Sequence, residues 1–417
     1  MIKKLLLITF AGLWTLGTVF AEPVSLQFWN GFTGPDGRYI QRIIDDFNRE
    51  RAGEIRVRMV VMPWDDFYAK VALALRTRRA PDIGLVHYDN VYNVIYQGIV
   101  EELDPYLDQF PLADFVESAL KVSQQNGHQY GIPLDFHPMV LYWNKDLFRE
   151  VGLDPDRPPR DRKEFLEACR VVREAALEKN GQRVWPCMIP ATHPNFLIWQ
   201  HVFFCNGGRM FREDFKRATY DAEAGKDALG FLRDMVYQYE YSSPNVTDNE
   251  CMESFRRGTS AMHINGVWML TSFKESQHLN FGARAMPNVG SDSHRVWSGS
   301  HTLVLFRKRR PDPVKTRAAV AFLKYLSEHS LEWARSGMIP ARYSIVRSPE
   351  FRALPYLRDI ALDIERFAFP VPHYRYIESI VPLRDEITLC LLKRAEPEAA
   401  LRKAADMSNR QLAQDPD

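Results

Sequence analysis

A chain of 417 residues that is 46% hydrophobic and 26% charged has ordinary globular composition, which excludes disordered, collagen-like and membrane-integral architectures. Lys and Arg number 54 against 53 Asp and Glu, so no net charge draws the chain to nucleic acid or anionic lipid. The length fits two domains or one body of two lobes, and function has to come from a local site.

Residues 1–21 read as a signal peptide. Lys3 and Lys4 precede an apolar run over 5–19, and Val19-Phe20-Ala21 supplies small or short side chains for cleavage after Ala21. The run is short for a membrane span, and a retained N-terminal anchor is the alternative. The first cysteine is Cys169, so no thiol stands at the cleavage site for a lipid. Export to the periplasm, not as a lipoprotein, is the expectation.

The mature chain opens with an alternating strand over 24–29 and the loop 30–36. A helix starts near Pro35-Asp36, with Tyr39, Ile40, Ile43, Ile44 and Phe47 at helical spacing. A second strand over 55–62, a second helix over 65–76 and a short apolar strand over 84–86 follow. Strand, helix, strand, helix, strand at this spacing predicts a parallel sheet with crossover helices. Ligands in such sheets bind outside the carboxyl ends of the strands, which singles out the loops 30–33, 62–65 and 87–90. Their Asn, Thr, Trp, Tyr and Asp side chains suit a neutral polar ligand with apolar faces.

Strand segments at 130–133 and 138–143 are separated by Leu134-Asp135-Phe136-His137. Helices are expected over 162–179, 198–205, 222–237 and 318–327, with strands at 261–264, 281–286 and 302–306. The tail over 383–412 reads as two helices broken at Glu396-Pro397. Five cysteines, Cys169, Cys187, Cys205, Cys251 and Cys390, leave at least one thiol unpaired; up to two disulfides or buried thiols are both open. No CxxC and no His pair at helix-face spacing beside a carboxylate occurs, so neither a metal nor a cofactor is expected.

Several segments in order resemble the extracellular solute-binding proteins of ABC importers, in the carbohydrate-binding branch with maltose-binding and glycerol-3-phosphate-binding proteins. They are Phe28-Trp29-Asn30, Ala80-Pro81-Asp82-Ile83, the stretches 97–104 and 141–148, Ile264-Asn265-Gly266-Val267-Trp268, and Gly337-Met338-Ile339-Pro340-Ala341-Arg342. The resemblance implies a two-lobed α/β periplasmic-binding-protein fold of the class II type, each lobe a sheet flanked by helices, with the ligand cleft between. It implies an N-terminal lobe of 22–137 plus 283–340 and a C-terminal lobe of 138–282 plus 341–417.

By the same resemblance, Trp268 matches the position whose indole stacks on a sugar ring; a core tryptophan is the alternative. Gly266 either lets backbone approach the ligand or starts a helix. Asp89 either accepts sugar hydroxyls or caps the run 91–95. Trp64 occupies an aromatic contact position, with Asp65 read as a helix cap. Asn30 and Thr33 lie in a ligand-contacting loop that is equally a simple turn. His137 sits at a lobe crossing. His193 and Phe196 replace a pair of tryptophans in the glycerol-3-phosphate branch, and Gly299 and Ser300 offer donors in the third crossing. Tyr374 and Arg375 fall in a segment, 370–376, that closes over ligand in relatives, Arg375 being the candidate for a phosphate or carboxylate unless it only stacks on Tyr.

The reading is therefore an exported monomer that captures a sugar, polyol or glycerol-phosphate derivative by hinge closure and delivers it to an ABC permease, with no nucleic-acid partner. The alternatives are the same fold with another solute class, or an exported carbohydrate-active enzyme using Asp89 and Asp135 as its carboxylate pair.

Overall fold

The computed structural model describes residues 22–76, 80–369 and 373–414; the signal-peptide segment and Pro370-Val371-Pro372 lie outside them. Strand β1 (Val24–Asn30) leads through Asp36, whose side chain accepts the Gly37 N–H, into helix α1 (Gly37–Glu50). Ile40, Ile43, Ile44 and Phe47 form its buried stripe. Strand β2 (Ile55–Val61), helix α2 (Trp64–Arg76), strand β3 (Ile83–His87) and helix α3 (Tyr88–Tyr96) follow. β1 pairs in parallel with both β2 and β3, as the alternation predicts.

Two expectations fail here. Residues 87–90 are no loop: α3 starts at Tyr88, immediately after β3, its first N–H donating to the Ser300 carbonyl at 2.9 Å. Asp65 is no cap, because the helix already begins at Trp64, directly after Pro63.

Strand β4 (Ile132–Pro133) and the ten-residue strand β5 (Asp135–Asn144) come next. The expected break at 134–137 shrinks to Leu134, because neighbouring strands hold the polar residues extended. Asp135 and Phe136 pair with Pro340 and Ile339, and His137 pairs with Gly299. Helix α4 (Arg162–Glu174) ends before the predicted Lys179, and Glu178–Lys179 instead forms a hairpin with Gln182–Arg183. Its turn places Asn180 and Gly181 at φ 51° and 71°, a backbone no helix continues through.

Strand β6 (Trp185–Met188), helices α5 (Asn195–Cys205), α6 (Glu223–Tyr237) and α7 (Asp248–Arg256), and strands β7 (Ser260–Gly266), β8 (Phe281–Ala285), β9 (Val296–Gly299) and β10 (His301–Leu305) follow. The chain closes with helix α8 (Pro313–Glu328), the two-residue strands β11 (Ile339–Pro340) and β12 (Phe367–Ala368), and helices α9 (Tyr376–Leu391) and α10 (Pro397–Leu412). The tail helices part near Glu396-Pro397 as expected, although the first starts earlier and runs through Pro382.

One sheet has the order β2-β1-β3-β10-β4; the other runs β6-β7-β5-β9-β12, with β8 and β11 also pairing with β5. β8 and β9 thus belong to the second sheet, and the chain rejoins the first only at His301. Two hydrophobic clusters fill the molecule, and strand residues of both sheets contribute to each. Phe28, Ile40, Phe47 and Phe322 anchor one, and Trp199, Phe203, Leu232 and Leu383 the other. The five cysteines are all buried and free, which decides between the two options the sequence leaves.

Three segments cross between the sheets side by side. Leu134 donates to the His301 carbonyl at 2.8 Å, and Ala341 donates to the Leu134 carbonyl at 3.1 Å. The site lies on this seam.

Candidate functional site

The carboxyl ends of β1 and β3 supply one wall. Asn30 is fully buried and turns the chain: its Oδ1 accepts the Phe32 N–H at 3.0 Å. Its Nδ2 is buried without a hydrogen-bond partner. Gly31 lies under the Trp64 indole, where a Cβ would stand 2.1 Å from the ring, so this close approach requires glycine. Thr33 is exposed, and its N–H donates to the Gly31 carbonyl at 2.8 Å, the turn role rather than a directed contact.

From Trp64 an aromatic run crosses the seam. The Trp64 ring centroid is 4.1 Å from that of His87 and 5.7 Å from His301, the latter with planes only 16° apart. His301 is 4.4 Å from His137, and His137 is 5.9 Å from Trp268. Trp64 and Trp268 are each half-buried and border both hydrophobic cores. Trp268 is thus half-buried at the edge of the core rather than fully enclosed in it. Gly266 seats it: a Cβ there would meet its ring at 1.9 Å, so the glycine serves the indole. Gly299 does the same for His137, whose Nε2 would lie 1.8 Å from a Cβ. Ser300 is fully buried, and its hydroxyl has no hydrogen-bond partner.

Beneath the run sits Asp135. It accepts from Trp333 Nε1 at 2.6 Å, the His301 backbone N–H at 3.0 Å and His301 Nδ1 at 2.9 Å, with His137 Nδ1 at 3.6 Å. Burial alone would raise this carboxyl, but the two neighbouring imidazoles and the His301 hydrogen bond hold it well below the usual carboxylate range. The carboxylate is fully buried. Burial and then the neighbouring His301 push His137 down to about 4, and burial with both other histidines lowers His87.

Asp89 lies in the first turn of α3, half-buried, and accepts from Asn90 Nδ2 at 3.2 Å. Burial raises its carboxyl to about 6, partly offset by Asn90 and the Arg384 guanidinium. Tyr68 ties it to the run: the hydroxyl feels the charge of Asp89 and stands 2.9 Å from His87 Nδ1. Arg384 also acts on exposed His193 and lies 6.0 Å from the centre of the Phe196 ring. Phe196 itself is buried, nearly parallel to Trp199, and packs as core.

Tyr374 stacks on Tyr96 at 3.8 Å, fastening the segment before α9 to the end of α3. Arg375 Nε lies 3.7 Å from Glu378. The structure thus joins Trp64, His137, Trp268, Gly266 and Gly299 in one run with Asp89 beside it. His193 and Phe196 gather at Arg384, whose charge also reaches Asp89, while Tyr374 and Arg375 lie at Tyr96 and Glu378. Sequence reasoning passed over His87, His301, Tyr68, Trp333 and Arg384. The position of His87 at the carboxyl end of a predicted strand was the one available signal.

A family model for bacterial extracellular solute-binding proteins matches residues 42–358. The sn-glycerol-3-phosphate-binding periplasmic protein of Pectobacterium atrosepticum is 22% identical over 342 residues, 78% of this chain and 76% of the relative. Among solved structures, the GacH receptor of Streptomyces glaucescens, studied unliganded and with acarbose, superposes with a TM-score of 0.83 at 20% identity, covering 94% of this chain and all of that one. A Thermotoga lettingae solute-binding protein bound with α-D-tagatose gives 0.80 at 20% identity over 93% of this chain and all of that one. At these identities the structural likeness speaks for the fold.

Proposed function

Because this chain belongs to the bacterial extracellular solute-binding protein family, we propose that it captures a sugar, polyol or glycerol-phosphate derivative in the seam between its two sheets and hands it to an ABC permease. The observation that carries this reading is the pair of half-buried indoles, Trp64 and Trp268, placed on either side of the histidines and bordering both cores. Flat aromatic faces pack against the C–H surfaces of a sugar ring, while Asp89 accepts hydroxyl donors and the imidazoles orient others. Relatives named for glycerol 3-phosphate, tagatose and acarbose fit that chemistry. Arg384, whose charge acts on Asp89, is a second candidate cation beside Arg375 for an anionic group.

In this reading the two sheets organise two lobes, solute contacts from both favour the closed form, and the permease recognises that form. The protein is read as a monomeric periplasmic carrier without a catalytic role. Titration calorimetry against sugars, polyols and glycerophosphodiesters tests it. At least one member should bind with a Kd near 1 μM, about −8 kcal/mol. Trp268→Ala should weaken that binding at least tenfold, about 1.4 kcal/mol. Silence from the whole panel, with a cooperative melt proving the protein folded, would refute the reading.

A further inference from the structure

The solute reading leaves the convergence of three histidines unexplained. His87 and His301 are direct cross-strand partners in the first sheet, and His137 is the register partner of Gly299, two residues before His301. One ring nitrogen of each lies within 4.8 Å of those of the other two. The ring planes are inclined by 41°, 42° and 82°, so the three rings do not gather in order to stack.

The surroundings hold these rings as a coordination sphere requires. The Tyr68 hydroxyl meets Nδ1 of His87 at 2.9 Å, and Asp135 meets Nδ1 of His301 at 2.9 Å, which leaves Nε2 of each for a ligand. Metal-bound imidazoles characteristically have their second nitrogen fixed in this way. Asp135 is itself fixed by Trp333. The third ring supplies a further sign: Nδ1 of His137 is buried without a hydrogen bond, the Asp135 carboxylate standing 3.6 Å away, which is rare for a buried polar group.

We infer that His87, His137 and His301 form a three-imidazole site for a divalent transition metal of the zinc class, open on its half-buried His87 side toward the seam. Three imidazole nitrogens select Zn²⁺, Co²⁺, Ni²⁺ or Cu²⁺ over Mg²⁺ or Ca²⁺, which want oxygen ligands. Such three-ligand sites keep one position for water or a ligand oxygen, here offered to a solute hydroxyl or phosphate. Two of the ligands come from the first sheet and one from the second, so the ion links the sheets where the chain crosses between them. The inference goes beyond the solute reading and does not depend on it.

The test uses the mature chain, stripped with chelator and titrated with Co²⁺, followed by Zn²⁺ competition and metal counting after dialysis. We expect one ion per chain and the visible absorption bands of cobalt bound to nitrogen ligands. His87→Gln should weaken Zn²⁺ binding at least 100-fold while the metal-free melt stays unchanged. Tyr68→Phe, which frees the His87 ring, should weaken it by about 10–100-fold and shift the cobalt bands. The surface group Glu102, Asp104 and His128 is the internal control. Wild-type binding below one ion per chain, full affinity in His87→Gln, or loss of the ion in His128→Gln would overturn the site. Solute calorimetry repeated in chelator separates the two readings: heat without metal binding removes the metal site alone, and metal without solute heat removes the solute reading alone.

Discussion

At the residue scale, the site depends on positions where a side chain is forbidden. Gly266→Ala would push a Cβ into the Trp268 indole, an overpacking that costs about 1–3 kcal/mol and tilts the ring. The expected result is a lower melting temperature together with solute affinity reduced as in Trp268→Ala; an unchanged affinity would separate the indole from binding. Asp248, at the start of α7, accepts from Asn265 Nδ2 at 2.9 Å, and burial raises its carboxyl from 3.8 to about 6. The folded state therefore holds this proton more tightly than the unfolded chain. Its contribution is complete below about pH 4 and is lost as pH rises through 6. Asp248→Asn should match the wild type at pH 4 and exceed it by about 1–2 kcal/mol at pH 8, read from urea denaturation at both. The two indoles were legible in the sequence, Trp64 in a loop at a strand's carboxyl end and Trp268 in a family segment. The histidine group was not, because its members meet only when β10 lies antiparallel beside β3.

At the element scale, the opening strands and helices were readable because each has one face in the core, so hydrophobic period alone identifies them. The start of β5 was hidden: Asp135 and His137 read as loop residues, and only partners distant in sequence, Trp333 and His301, make their burial tolerable. Helix ends offer clean tests. Thr247 and Glu250 form a reciprocal capping box on α7, so Thr247→Ala should cost about 1 kcal/mol by thermal or urea unfolding without touching the site. Gly230 shows the opposite case. It lies within α6, a Cβ there meets nothing within 4 Å, and Gly230→Ala should stabilise by about 0.5–1 kcal/mol.

At the scale of the whole molecule, the two sheets are joined by three crossings lying side by side and by no disulfide among the described residues. Five thiols should titrate in denaturant and almost none before it, and reductant should leave the melting temperature unchanged. A native thiol reacting at full rate would place a cysteine at the surface. The crossings also govern when this molecule can become itself. In the first sheet, β3 finds its neighbour β10 only after more than two hundred intervening residues have been made, and β4 is held by the same late strand. A growing chain emerging N-terminus first must therefore wait with β3's pairing edge bare. That delay gives any threading or chaperone step a long window in which the polypeptide is still unlocked.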